Sequence, residues 1–511
     1  MSMLGGPAAP SVLRPGATGA GATGAGVQAA PDGIPTRART PLTALPWALT
    51  ALFAVLYTVV SVRRNDRMLS MGYDLGIFEQ AVKAYAHLRA PVVPLKGPGY
   101  NLLGDHFHPV LMLLAPAYRL LPTPVTLLVA QALLMALAVL PLARWALAQH
   151  GPRAAVLVGC AVGSSWGIVK AVSFDFHEIA FAVPLLAFTV EALGRRRWHA
   201  ALWWSLPLVL VKEDLGLTVA AVGVYVAWYG RRPRLGLPLA GFGLSATALE
   251  VLVVIPSFNP HGAFDYLPQL SASGAGPAHL ATHLLWPPLK WLTLLMLVAP
   301  TGFLCLRAPL LWLTVPTLLW RFASDNPNYW GVSYHYSAVL MPVVFAAMLQ
   351  RTPHVTPRLL RAGRRGVAAF ACLMIPVYPL HEVMMPEVWQ TSAHVRTAGQ
   401  VLALIPDGAT VAASDHLAAQ LVSRTTVSLY CAAPTAAGPQ WVVVDRTDPT
   451  VKAPCPANRT RYWLDTYRRD GYRVRADRDS VILLERGERR RAPVNVAALR
   501  PTATASRAGP P

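Results

Sequence analysis

The sequence predicts a mainly α-helical, polytopic membrane protein: a bundle of about eleven transmembrane spans followed by a small extracytoplasmic α/β domain. Three observations carry that prediction. Of the 511 residues, 54% are hydrophobic and 14% charged, against roughly 25% charged in an average soluble domain. The apolar residues gather in runs of roughly 14–25, near the length that crosses a bilayer. Between the runs, arginine clusters alternate with short carboxylate and histidine clusters, the charge pattern of alternating inner and outer connectors. The formal charge of +20 is therefore read as topology, and nucleic acid is excluded as a partner.

Residues 1–40 are rich in Gly, Ala and Pro without hydrophobic periodicity, which predicts a disordered cytoplasmic N-terminus. The run 42–62 is too long for a signal-peptide core and follows Arg37 and Arg39, so it reads as an uncleaved anchor. Further candidate spans cover residues 124–148, 154–171, 179–193, 198–211, 215–229, 235–255, 288–306, 309–322, 336–349 and 366–379. Connectors assigned to the cytoplasm hold Arg144, His150 and Arg153; Arg195 to Arg197; Arg231, Arg232 and Arg234; Arg307; and Arg351, Arg358, Arg361, Arg364 and Arg365. Arg63, Arg64 and Arg67 break the rule, since they follow the first span. The odd number of spans puts residues 381–486 outside, with a disordered tail from 487. One helix over 198–229 would be about 48 Å long against a hydrocarbon core of about 30 Å. Two short spans broken at Lys212, Glu213 and Asp214 are expected instead, with the break facing a cavity.

The ionisable residues left outside converge on one membrane face. The first outer loop, 63–123, holds Tyr73-Asp74-Leu75-Gly76-Ile77-Phe78, an amphipathic helix with Ile77, Ala81, Ala84, Tyr85 and Leu88 at helical spacing, and Asp105-His106-Phe107-His108. Asp74 is placed either to cap that helix or to face a substrate. Asp175, His177 and Glu178 precede a span, where the helix dipole favours an acid on structural grounds alone. His106 and His108, with His177 and the nearby carboxylates, have donor types for a divalent metal, although the spacing matches no specific metal pattern. Arg321, Asp325 and His335 lie in aromatic-rich outer loops. Ionisable groups near a membrane are costly unless paired or used, so this convergence marks a candidate site.

In the C-terminal region, residues 409–413, 425–429, 441–445, 472–476 and 480–485 read as strands, and 417–422 and 459–469 as helices. No Gly-rich phosphate loop is present, so no nucleotide is assigned. Cys431 and Cys455 either pair in an oxidising compartment or stay free.

The strings Tyr73-Asp74-Leu75-Gly76-Ile77-Phe78, Gly104-Asp105-His106-Phe107, Phe174-Asp175-Phe176-His177-Glu178, Lys212-Glu213-Asp214-Leu215-Gly216 and Ser324-Asp325-Asn326-Pro327 resemble those of an uncharacterised family of bacterial multipass membrane proteins. The likeness runs from about residue 42 to 486, and that family distantly resembles the GT-C glycosyltransferases, which use polyprenyl-phosphate-linked sugars. The resemblance implies a multipass plasma-membrane enzyme that transfers a sugar to an envelope glycan, lipid or protein acceptor with inversion. Asp74 would be the general base, although the chain carries one acid where some of these enzymes carry an adjacent pair. Lys212, Arg321 and His335 would meet the phosphate, with Glu213, Asp214 and Asp325 beside the substrate. Asp105, His106, Asp175, His177 and Glu178 would orient the acceptor or hold a metal; no other cofactor is implied. The alternatives are a transporter or flippase using Lys212, Glu213 and Asp214 in a broken helix, and a noncatalytic envelope-assembly protein.

Overall fold

The computed structural model describes residues 40–269, 282, 284–432, 438–448 and 455–487. The expected disorder of residues 1–39 and beyond 487 lies outside them. The chain divides into two compact units, 1–42 and 43–511, and the second is described below. It is mainly helical, with one small sheet near its end.

Three helices among the described residues are long and apolar enough to cross a membrane: Leu42–Asp66, Pro124–His150 and Pro233–Phe258. A pair bent by 44°, Pro152–Gly163 with Trp166–Ser173, makes four if counted as one span. Of the eleven expected spans, these three or four are the ones that meet that length and composition among the described residues, and several other apolar runs form shorter helices. The run 198–211 is a helix only over Trp198–Ser205 and tightens into a 3-10 turn at Leu206–Leu210, where Pro207 interrupts it. The run 309–322 likewise starts as a 3-10 segment, Pro309–Thr314, before its helix Val315–Ala323. Two others, Ile179–Gly194 and Leu215–Trp228, have 16 and 14 residues. At 1.5 Å per residue they reach about 24 and 21 Å, short of a core of about 30 Å. Most of their residues are buried among the other elements. Leu215–Trp228 lies tightly against Pro233–Leu249, where a Cβ on Gly223 would come within 2.4 Å of the Ala240 nitrogen. Small residues let the two backbones meet, the usual adhesive between helices in lipid.

The sheet has strands β1 (Thr410–Ala413), β2 (Thr426–Leu429), β3 (Trp441–Asp445), β4 (Tyr472–Arg478) and β5 (Val481–Arg486), in the order β2-β1-β3-β5-β4. The first three are parallel, and β5 pairs antiparallel with β3 and β4. Its Val- and Leu-rich centre is buried on both faces, as such strands require. Cys431 and Cys455 form a disulfide with Cα atoms 5.5 Å apart.

This sheet does not close its own core. Ile77, Ala81, Val93, Leu95 and Leu102 of the first loop share a buried cluster with it. Gln80 Nε2 donates to the Val427 carbonyl at 2.8 Å, and Lys83 Nζ to those of Val422 and Thr425 at 2.8 and 3.2 Å. Loop and sheet therefore bury one another, and that docking positions the candidate site.

Candidate active site

Asp74 sits in a π-helical turn, Gly72–Gly76, that leads into the helix Ile77–Ala86. The expected capping role is absent, since neither helix start receives a side-chain cap bond. Its carboxylate instead points into a cavity of about 410 Å³, with Oδ1 3.5 Å from His177 Nε2 and the side chain 27% exposed. The turn itself is held by neighbours. Asp175 Oδ2 accepts the Met71 N–H at 2.8 Å, and Asp415 Oδ1 accepts the Tyr73 N–H at 2.7 Å. Gly72 packs so closely on the sheet-side helix that an added Cβ would lie 2.6 Å from Ala418 Cβ.

The segment Phe174–Glu178 forms the opposite wall. Buried Gln131, inside the apolar helix Pro124–Leu137, donates Nε2 to the carbonyls of Ala171 and Asp175 at 3.1 and 2.5 Å and accepts the His177 N–H at 2.9 Å. An amide in an apolar span costs free energy unless its polar atoms are bonded, and here both are. Asp175 has φ +75°, a left-handed conformation that a residue with a Cβ holds only when its surroundings impose it. His177 stacks on His335 with ring centroids 3.8 Å apart, and Phe78 meets His177 edge-on at 5.5 Å.

Charge in the cavity is organised in pairs. Lys212 Nζ is 2.8 Å from Glu178 Oε1, Lys96 Nζ is 2.5 Å from Asp105 Oδ2, and His106 Nδ1 is 2.7 Å from Glu213 Oε1. Burial raises the Glu178 carboxyl, but Lys212, His108 and His177 outweigh it and hold it far below its usual range. Burial likewise opposes the Lys212 charge, and Glu178, Glu213 and Asp214 overcome it, so the ammonium is stabilised. For Asp105, burial pushes the carboxyl up, but His106 and Lys96 outweigh it and bring the carboxyl down to about 2. His108 goes the other way: burial, only partly offset by Glu178, lowers it to about 4. His335 is also lowered, by burial and then by His177. Both rings therefore stay neutral near pH 7, able to give or take a hydrogen bond without adding charge.

The sequence profile of DUF2079, described as a predicted membrane protein, matches residues 64–483. The chain belongs to that family. No curated protein matches it. Among solved structures, it is similar to a crystal structure of ArnT from Cupriavidus metallidurans bound to undecaprenyl phosphate, at 14% identity and a TM-score of 0.49, covering 86% of this chain and 98% of that one. The apo form of the same protein matches at 14% identity and a TM-score of 0.48, covering 88% and 98%. At that level neither likeness bears on the chemistry of this DUF2079 chain.

Of the residues singled out from sequence, Asp74, Asp105, His106, His108, His177, Glu178, Lys212, Glu213, Asp214 and His335 all line the one cavity. Three do not. Asp175 is buried behind the wall and binds backbone. Arg321 is also fully buried, giving its guanidinium to the carbonyls of Tyr329 and Tyr336 and to Ser337 Oγ at 2.5, 3.3 and 3.3 Å. It props the aromatic loop and does not line the cavity. Asp325 is exposed and off the cavity. Among the described residues no group of three or more His, Cys, Asp or Glu could hold a metal ion, and His106 Nδ1 is already engaged by Glu213, so no step is routed through a metal. Sequence reasoning missed Lys96, Trp320 and Asp415 on the cavity wall and Gln131 behind it. Gln131 alone had a usable signal: an amide stranded in an apolar span.

Proposed function

We propose that this protein is an integral membrane glycosyltransferase that moves a sugar from a polyprenyl-phosphate donor to a hydroxyl of an envelope acceptor, on the outer face of the plasma membrane. One observation carries the reading. A partly exposed carboxylate, Asp74, faces a cavity walled by Phe78, Phe174, Tyr266, Trp320, Tyr329 and Tyr336 and by further acids. Aromatic faces and carboxylate acceptors are what a ring of C–H and O–H groups needs. The outer placement rests on the alternating arginines and on a disulfide that suits an oxidising compartment.

In this reading Asp74 takes the proton of the acceptor O–H while that oxygen attacks the anomeric carbon. The bond from that carbon to the phosphate oxygen breaks with inversion, and polyprenyl phosphate leaves with the electron pair. Lys212 is the cation for the departing phosphate and must be shared with Glu178, which lies 2.8 Å away. His335 and Tyr336, whose rings lie tilted against each other with centroids 4.2 Å apart, supply neutral donors.

A second reading has its own support. Six acids (Asp74, Asp105, Glu178, Glu213, Asp214, Asp415) line the cavity against two lysines, Lys96 and Lys212, and two of these acids, Glu213 and Asp214, sit with Lys212 at a broken helix, as in transporters. The test separates the two. Protein in nanodiscs is given a labelled polyprenyl-phosphate sugar and an envelope extract; the glycosyltransferase reading expects labelled acceptor from wild type and none from Asp74→Asn. Movement of the label across proteoliposomes, with no polyprenyl phosphate released, would favour the transporter.

A further inference from the structure

Two aspartates far apart in sequence grip the same turn. Asp175 accepts the N–H of Met71 and Asp415 that of Tyr73, at 2.8 and 2.7 Å, so the backbone just before Asp74 is held from both sides. Neither carboxylate comes from the loop it holds: one is in the segment before the helix Ile179–Gly194, the other opens the short helix Asp415–Ala419 beside the sheet. Their own placements are enforced. The left-handed Asp175 backbone is bonded through its carbonyl to Gln131, and the helix that carries Asp415 packs on Gly72 with no room for a Cβ between them. Met71 and Tyr73 stand at the start of the π-helical turn, where the first N–H groups have no acceptor within the helix and depend on outside ones.

We propose that Asp175 and Asp415 are positioning residues that clamp the 71–76 turn and so set Asp74 against His177, which makes the C-terminal sheet unit an integral part of the active site. The proposal deepens the glycosyltransferase reading but rests on backbone geometry. Asp175 is buried and Asp415 half-buried, and this desolvation pushes each carboxyl up to about 6, with the nearby Asp74 charge adding to it. A carboxylate whose task is geometric is replaceable by any acceptor of the same shape; one that works by charge is not.

The experiment compares Asp175→Ala, Asp175→Asn, Asp415→Ala and Asp415→Asn in the full chain in nanodiscs. Amide hydrogen exchange over residues 68–78 and labelled sugar transfer are both measured. The Ala variants are expected to exchange roughly 10-fold faster at Met71 or Tyr73, with protection elsewhere kept, and to lose kcat with little change in KM. The Asn variants, which keep an acceptor oxygen, are expected to restore protection and to recover most of that rate. Wild-type exchange in folded Ala variants would overturn the clamp. So would Asn variants that are deprotected or that fall as far as Ala, since charge and not geometry would then be the role. Where an Ala variant does not fold, its Asn partner still decides. If no protein transfers sugar, the glycosyltransferase reading fails while exchange still judges the clamp.

Discussion

Two regions of this molecule combine histidines with carboxylates, and they treat the rings differently. In the cavity, Nδ1 of His108, His177 and His335 has no hydrogen-bond partner among the described residues, although all three side chains are buried. At the edge of the sheet the histidines are spoken for. His394 reaches Asp445 through Nε2 at 2.7 Å and Asp479 through Nδ1 at 3.0 Å, and His416 Nδ1 is 2.7 Å from Asp448. A ring bonded to a carboxylate at both nitrogens must donate twice, so His394 is an imidazolium and a fastener. Buried polar atoms left without partners are rare in native proteins, and the three Nδ1 atoms, with Asp214 Oδ1, belong to residues that line one cavity.

The largest effect expected is at Asp74. Asp74→Asn should lower sugar transfer by about 10³-fold with the melting temperature nearly unchanged, because the amide keeps the shape but cannot take the proton. A folded Asn variant at the wild-type rate would put the cavity acids on the same footing as the fasteners of the sheet. Next is Lys212→Met, which leaves Glu178 buried without its cation and should cost about 3 kcal/mol of stability. Adding Glu178→Gln should recover most of that stability in thermal melts. If Lys212 also serves the donor, polyprenyl-phosphate binding should stay weak in the refastened double variant.

Glu79 is the residue that could break the contrast. Its Oε2 is buried and has no hydrogen-bond partner among the described residues, yet it does not line the cavity; Tyr118 bonds only the other oxygen, at 2.8 Å. Burial, against the smaller effects of Tyr118 and Lys83, pushes its carboxyl up to about 8, so it carries a proton at neutral pH. The folded state then holds that proton where the unfolded chain has lost it. Stability should fall as pH rises from about 4.5 to about 8, by up to about 1.4 kcal/mol per pH unit, and Glu79→Gln should flatten that slope in melts taken across the range. The smallest effect is at His394, where Gln should cost about 1 kcal/mol or less and leave transfer untouched. The bonds to Asp445 and Asp479 raise the ring above its ordinary value, with burial opposing. That stability is present below the unfolded-state value near 6.5 and is lost as pH rises through the higher folded one, a trend that melts of wild type against His394→Gln would show.

The two regions also differed in how far they were legible. All five strands lie where alternation and β-branched residues put them, since short strands flanked by turns carry their own local signal. The spans were harder to read. Apolar runs such as 198–211 and 309–322 meet a hydropathy criterion, but Pro207, Pro309 and Pro316 and the lack of length break them into 3-10 and short α segments around an interior. The site residues with ionisable side chains were found because charge is conspicuous in an apolar sequence. What stayed hidden is pairing. That Lys212 meets Glu178 and not its neighbours Glu213 or Asp214, or that Asp415 reaches Tyr73 across 342 residues, depends on tertiary docking that no local pattern encodes. Arg321 shows the converse: a conspicuous cation whose partners are two backbone carbonyls and the Ser337 hydroxyl in the segment that follows its helix.

The central claim is that the cavity beside Asp74 is where the sugar of a polyprenyl-phosphate donor meets its acceptor. A cryo-EM structure of the protein in nanodiscs with a polyprenyl-phosphate sugar tests it most directly. The account predicts the phosphate within hydrogen-bonding distance of Lys212 and the sugar between Asp74 and the rings of His335 and Tyr336. A donor bound elsewhere, with the cavity closed to it, would contradict the claim.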